Sequence, residues 1–162
     1  LVIKDTPLEE LYSKGRFSPM TLDEAVYVCA KALLKLDNAH IPVVRLGLQP
    51  TPQLEKKGTI IAGPFHPSFR QLVESSIFFD MSVRLADRDH QPRESLRFRI
   101  NSKDYSYFCG QKNRNISKLR ERYGLKEIEV ITEDSVKRNT VELINGPHIS
   151  YIERNELEAI SN

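Results

Sequence analysis

The chain has 162 residues, 24 Lys and Arg against 22 Asp and Glu, a net charge of +2, and 40% hydrophobic and 28% charged residues. That composition excludes a disordered chain, and no apolar run approaches the roughly 20 residues of a membrane span. The opening run Leu1-Val2-Ile3 stops at Lys4-Asp5, so no signal peptide is expected in it. Cys29 and Cys109 lie far apart, so they form no disulfide framework and point to a reducing, cytoplasmic setting.

Residues 1–5 read as a strand with no lead-in, which predicts a fragment of a longer protein; processing of a natural N-terminal segment is the alternative. Thr6-Pro7 starts a short helix that Gly15 ends. Thr21-Leu22-Asp23-Glu24 is a capping box opening a longer helix, with apolar residues at 22, 25, 26, 29, 33 and 36 on one face. Cys29 falls on that face, as a buried core thiol would. Val43 to Leu48 reads as a buried strand, and strand–helix–strand predicts a parallel βαβ unit. Ligands then sit beyond the strand ends, at Lys4-Asp5-Thr6 and Gly47 to Thr51.

Prolines and glycines punctuate 50–67, predicting an ordered loop. Ser68 caps a helix with Phe69, Leu72, Val73 and Ile77 on one face. Alternation at Met81, Val83 and Leu85, and again at Leu96, Phe98 and Ile100, predicts an antiparallel strand pair across a polar turn, Asp87–Arg93. A helix at 102–109, a second ending at Gly124, and strands around Ile128-Val130 and Val141-Leu143 complete the order α-β-β-α-α-β-β. His40, His66, His90 and His148 have no metal-ligand spacing. His66, between Phe65 and Pro67, is read as a structural loop histidine, with a ligand or general base as the alternative.

Charge is concentrated late. Arg97 to Lys126 holds nine basic residues and two acidic ones, Asp104 and Glu121. An excess of this size either binds phosphates or forms a solvated helix face. Within it, Gly110-Gln111-Lys112-Asn113 followed by Arg114-Asn115-Ile116-Ser117-Lys118-Leu119 resembles the G-x-x-G loop and second helix of KH domains. A small residue there lets a nucleic-acid backbone approach, and helix N-terminal amides meet phosphate. Asn113 replaces the last glycine and tolerates left-handed φ. The candidate nucleic-acid residues are Gly110, Gln111, Lys112, Asn113, Arg114 and Lys118; a KH-like or ferredoxin-like domain with a purely structural role is the alternative.

The first half carries a second resemblance. Leu1-Val2-Ile3-Lys4-Asp5-Thr6-Pro7-Leu8 with Leu11-Tyr12, Lys14-Gly15-Arg16-Phe17, and Val44-Arg45-Leu46-Gly47-Leu48-Gln49 are similar to the last strands of the radical S-adenosylmethionine barrel in the Elongator catalytic-subunit family. Gly63-Pro64-Phe65-His66-Pro67-Ser68-Phe69-Arg70-Gln71-Leu72-Val73-Glu74 is similar to the shorter bacterial members that lack an acetyltransferase domain. The resemblance implies a partial (β/α) barrel, a [4Fe–4S] cluster that cleaves S-adenosylmethionine, and a tRNA substrate. Three clustered cysteines hold that cluster in the family, and this chain has two scattered ones. The resemblance therefore implies a parent that holds cluster and S-adenosylmethionine, and a fragment with no metal site, no catalytic residue and no activity alone. Gln49, with Lys4 and Arg45 behind it, is the candidate lining of the cofactor cavity; a strand–helix salt bridge is the other reading of Arg45.

The expected fold class is α/β plus α+β: a partial (β/α) barrel segment at 1–66, then a KH-like α+β domain at 67–162. The expected partners are RNA, tRNA among them, and the missing N-terminal barrel half; no membrane is expected. A truncated sheet also predicts self-association through residues 1–50. The competing function is a non-catalytic RNA-binding or protein-interaction domain.

Overall fold

The structure is a computed structural model that describes residues 1–88 and 94–160. Strand β1 (Val2–Ile3) leads into helix α1 (Pro7–Ser13). Thr6 stands at the start of α1 without capping it; its hydroxyl donates to the Ile3 carbonyl at 2.6 Å. Helix α2 (Leu22–Asn38) opens on the predicted capping box: Thr21 Oγ1 accepts from the Glu24 amide and Glu24 accepts from the Thr21 amide. A helical turn, α3 (Pro52–Glu55), and strand β2 (Ile60–Ala62) lie inside the segment expected to be loop.

No parallel βαβ unit forms among these residues. β1 pairs antiparallel with β2, Val2 opposite Ala62, and residues 41–50 form no strand. The segment instead runs across the start of the next helix. The Val43 carbonyl accepts from Arg70 Nη1 at 3.0 Å, and Val43 and Leu46 pack against the core. Gly47 lies so close to Phe69 that a Cβ there would stand 2.9 Å from Phe69 Cδ1. Held at Val43, Leu46 and Gly47 while Val44 and Leu48 stay exposed, the apolar run pairs with no strand among the described residues.

Helix α4 (Phe69–Arg88) corrects a second expectation, because Met81, Val83 and Leu85 are helical rather than a strand. Phe69, Val73, Ile77, Phe78, Met81 and Leu85 are all buried along one helix. Over 17 residues the four-residue spacing outweighs a three-residue alternation. The predicted turn lies partly, and His90 wholly, outside the described residues. Strand β3 (Ser95–Ile100) therefore has other neighbours. It pairs parallel with β4 (Glu127–Thr132) and antiparallel with β5 (Thr140–Asn145), which pairs with β6 (His148–Glu153), giving the order β4-β3-β5-β6.

Between β3 and β4 the chain makes a 3-10 turn, Ser102–Asp104, then α5 (Tyr105–Cys109), a second 3-10 turn, Gln111–Asn113, and α6 (Arg114–Tyr123). After β6 a 3-10 stretch runs from Arg154 to Ile160. The observed order from residue 69 is thus α-β-α-α-β-β-β. One face of the sheet, with Phe98, Ile100, Val141, Leu143 and Ile152, is buried with α4, Phe108 and Leu119. Ala25, Ala30 and Leu33 of α2 belong to the same core cluster. Among the described residues no helix is long and apolar enough to cross a membrane.

Candidate nucleic-acid interface

The loop between α5 and α6 is held in an unusual conformation by three successive demands. Gly110 has φ 71° and ψ 172°, Lys112 φ 52° and Asn113 φ 58°. Asparagine accommodates the left-handed region better than most residues, so the turn survives the loss of the second glycine. Gly110 closes α5 by donating to the Ser106 carbonyl at 3.1 Å, and its own carbonyl accepts from Asn113 at 3.2 Å.

Asn115 fixes the loop from beneath. Its buried Nδ2 donates to Ser75 O at 2.8 Å, Phe108 O at 2.9 Å and Tyr107 O at 3.3 Å. One amide thereby ties the end of α5 and the start of α6 to the middle of α4. Asn113 makes no side-chain cap on α6. The Arg114 amide donates to the Gln111 carbonyl, and the start of α6 is the positive end of its helix dipole.

A cleft of about 350 Å³ lies beside this loop, between α2 and α4, and Asp23, Ser75, Gln111, Arg114 and Lys118 are on its walls. Ser75 is buried, and its hydroxyl has no hydrogen-bond partner among the described residues. Lys118 Nζ lies 5.4 Å from the centre of the Phe79 ring. Burial pushes the neighbouring Asp80 carboxyl above its ordinary range, against the pull of Lys118. Lys112 and Arg114 are exposed.

The basic stretch is much less free than its composition suggests. Arg97 pairs with Glu129, Arg99 with Glu142 and Glu133, Arg122 with Asp87, and Lys126 with Glu94. Arg120 donates to the Lys126 carbonyl at 2.9 Å. Among the described residues Lys103, Lys112, Arg114 and Lys118 form no ion pair, and the last three share the loop and α6. The candidate set Gly110, Gln111, Lys112, Asn113, Arg114 and Lys118 is thus one contiguous surface.

The proposed cofactor residues are not gathered in this way. Lys4, Arg45 and Gln49 are all exposed, the first after β1 and the other two on the irregular segment. Arg45 forms no ion pair among the described residues. His66 is structural: Nδ1 accepts from the Ser68 amide at 3.1 Å. Cys29 is half-buried on α2, and Cys109 is buried at the end of α5, where burial pushes its thiol up. Among the described residues no group of three His, Cys, Asp or Glu is placed to hold a metal ion. These residues do not fit an iron–sulfur cluster, which takes thiolates.

Sequence reasoning missed a second polar cluster. Arg154, 11% exposed at its side chain, pairs with Glu74 and, at 2.8 Å, with Asp37, so it joins the 3-10 stretch after β6 to α4 and α2. Asp104, fully buried, accepts from Arg138 Nε at 2.7 Å and from the Asn139 amide at 2.8 Å. These partners lie 34 to 117 positions apart in sequence, so no local signal announces them.

Residues 1–78 match the family model Radical_SAM C-terminal domain. The match covers just under half of the 162 residues. It supports a radical S-adenosylmethionine protein as the source of this first part and bears on neither the glycine loop nor the four-stranded sheet. No curated protein and no solved structure matches the chain.

Proposed function

We propose that the chain is the C-terminal part of a radical S-adenosylmethionine iron–sulfur protein related to the short bacterial Elongator-like enzymes, and that it contributes an RNA-contacting surface. The observation that carries the first half of this reading is the match of residues 1–78. Cluster and S-adenosylmethionine belong, on this reading, to the part of the parent outside this chain. Lys4, Arg45 and Gln49 are exposed and free to face that cofactor. No step of the radical chemistry is assigned to these 162 residues.

The second half rests on the glycine loop. The positive end of α6 and the unpaired, exposed Lys112, Arg114 and Lys118 together supply positive charge and side-chain donors for a phosphate backbone. The left-handed residues at 112 and 113 are both exposed, on the loop where a ribose-phosphate chain would approach. The resemblance to a KH-like helix–loop–helix agrees with this arrangement, and tRNA is the RNA class that the Elongator resemblance favours.

The test is fluorescence anisotropy with labelled tRNA and with a single-stranded RNA at low salt. Binding is expected, weakening as salt rises, and strongly reduced when Lys112, Arg114 and Lys118 become Ala together. Equal binding by that triple variant, or none by the parent sequence, defeats the RNA reading and leaves a protein-interaction module. For the first half, the full-length parent is expected to cleave S-adenosylmethionine under reducing, anaerobic conditions, and failure to do so defeats that half.

A further inference from the structure

The four-stranded sheet ends at β4 on one side and at β6 on the other. The direction of the β6 amides follows from two hydrogen bonds. Arg154 N donates to Asn139 O at 3.0 Å, one step beyond the Thr140–Glu153 pair. In an antiparallel ladder the amides alternate in direction. Those of His148, Ser150 and Ile152 therefore face β5, and those of Ile149, Tyr151 and Glu153 face away. The Glu153 amide agrees, since it donates to Glu156 Oε1 at 2.8 Å. On the other side of Ile149 the next outward residue is Pro147, which has no amide.

The free edge therefore consists of two residues, Ile149 and Tyr151, each with an outward N–H and C=O that no described residue engages. Their side chains stand on the sheet face opposite the helices, Ile149 across from Ile144 and Tyr151 across from Glu142. They are 50% and 58% exposed. Proteins commonly block an open edge with charge. β4 carries Glu127 and Glu129, whereas β6 has Ile-Ser-Tyr-Ile between its end residues His148 and Glu153.

The geometry points to a second copy of this chain as the occupant of that edge, with β6 pairing antiparallel to its counterpart about a two-fold axis through Ser150. In this register Ile149 of one copy stands opposite Tyr151 of the other, twice over. All four free main-chain groups of each edge are then satisfied, and each aliphatic residue meets an aromatic one, a favourable cross-strand pair. Ser150 faces Ser150, His148 faces Ile152, and no like charges oppose each other. An axis through Tyr151 would aim the Ile149 carbonyl at the Glu153 amide, which Glu156 already holds. An axis through Ile149 would aim the Tyr151 carbonyl at Pro147. The self-complementarity is therefore specific to one register, and the shortness of the edge makes the dimer concentration-dependent.

Sedimentation velocity of the 162-residue chain over a wide concentration range tests this. A reversible monomer–dimer equilibrium is expected. Ile149→Lys is expected to abolish the dimer, and so is Tyr151→Pro, which removes an outward amide and the aromatic side chain but no hydrogen-bond donor of the β5–β6 ladder. A chain that stays monomeric throughout, or a dimer that Ile149→Lys leaves intact, overturns the proposal; the latter is what an interface through residues 1–50 would give. Should both variants lose their native circular dichroism, Ser150→Cys decides. Residues facing each other in a non-hydrogen-bonded pair have Cα atoms about 4.5 Å apart, within disulfide range. Mild oxidation is expected to link Ser150→Cys dimers beyond any linkage in the unsubstituted chain, and absence of that linkage overturns the register and the proposal with it.

Discussion

Gly110 and Asn115 are built against each other: a Cβ on Gly110 would stand 3.1 Å from Asn115 Cγ. The glycine is therefore required by the fold before any ligand is considered. Gly110→Ala strains a backbone at φ 71° and crowds the buried amide, and a loss of about 1–3 kcal/mol is expected. Asn115→Ala removes the buried donor to the carbonyls of Phe108 and Ser75, the latter keeping its helical partner, with a loss of about 1–3 kcal/mol. Urea denaturation of both singles and the double checks this, and the double is expected to cost less than the sum, because the crowding disappears with the amide.

Arg154 is the hinge pin of the second cluster. Arg154→Ala leaves the buried Glu74 carboxylate with only the half-exposed Arg70, 3.5 Å away. Breaking one side of a buried pair typically costs about 3–5 kcal/mol. Glu74→Ala is expected to cost less, since Arg154 keeps Asp37. Equal effects in chemical denaturation would contradict the arrangement.

Tyr123 is expected to contribute to the fall of stability at alkaline pH. Burial, then the hydrogen bond to Asp87 at 2.6 Å, pushes its hydroxyl from 10.0 up to about 12. A folded-state value above the unfolded one favours the neutral phenol in the fold. Its contribution is complete below pH about 10 and is lost as pH rises through about 12. Tyr123→Phe is expected to flatten the fall of unfolding free energy across that window, and an unchanged slope would exclude Tyr123 as its cause.

The two thiols differ in reactivity. Burial raises the Cys109 thiol, and the hydrogen bond with Tyr105 only partly offsets it. The native chain is expected to react with a thiol reagent first at half-buried Cys29, and at Cys109 only on unfolding. Peptide mapping after timed alkylation distinguishes them, and rapid native labelling of Cys109 would place it elsewhere than in the core.

What could be read from the residues was what depends on neighbours in sequence. The Thr21–Glu24 box, the stop at Gly124, the left-handed Asn113 and the strand containing Leu96, Phe98 and Ile100 all follow local rules. The strand at 81–85 failed because a short alternation hid inside a longer helical period. No strand forms at 43–48 because a β-rich segment needs an edge to join, and this one lies against Phe69 and Arg70 instead. β6 was overlooked although Asn145-Gly146 between two apolar alternations is a hairpin signal. The candidate loop was legible as a motif, but its unpaired cations were not, because Glu129, Glu142 and Asp87 cancel their neighbours from distant positions.

That cancellation has a measurable thermodynamic signature. Were all nine basic residues of the stretch to displace condensed ions from single-stranded RNA, the logarithm of affinity would fall with the logarithm of salt at a slope of about −6; with only Lys112, Arg114 and Lys118 engaged, the slope is about −2. The acidic partners across the sheet thus convert what composition presents as a polycation into a modest three-point electrostatic grip, one that releases its polymer readily as ionic strength rises.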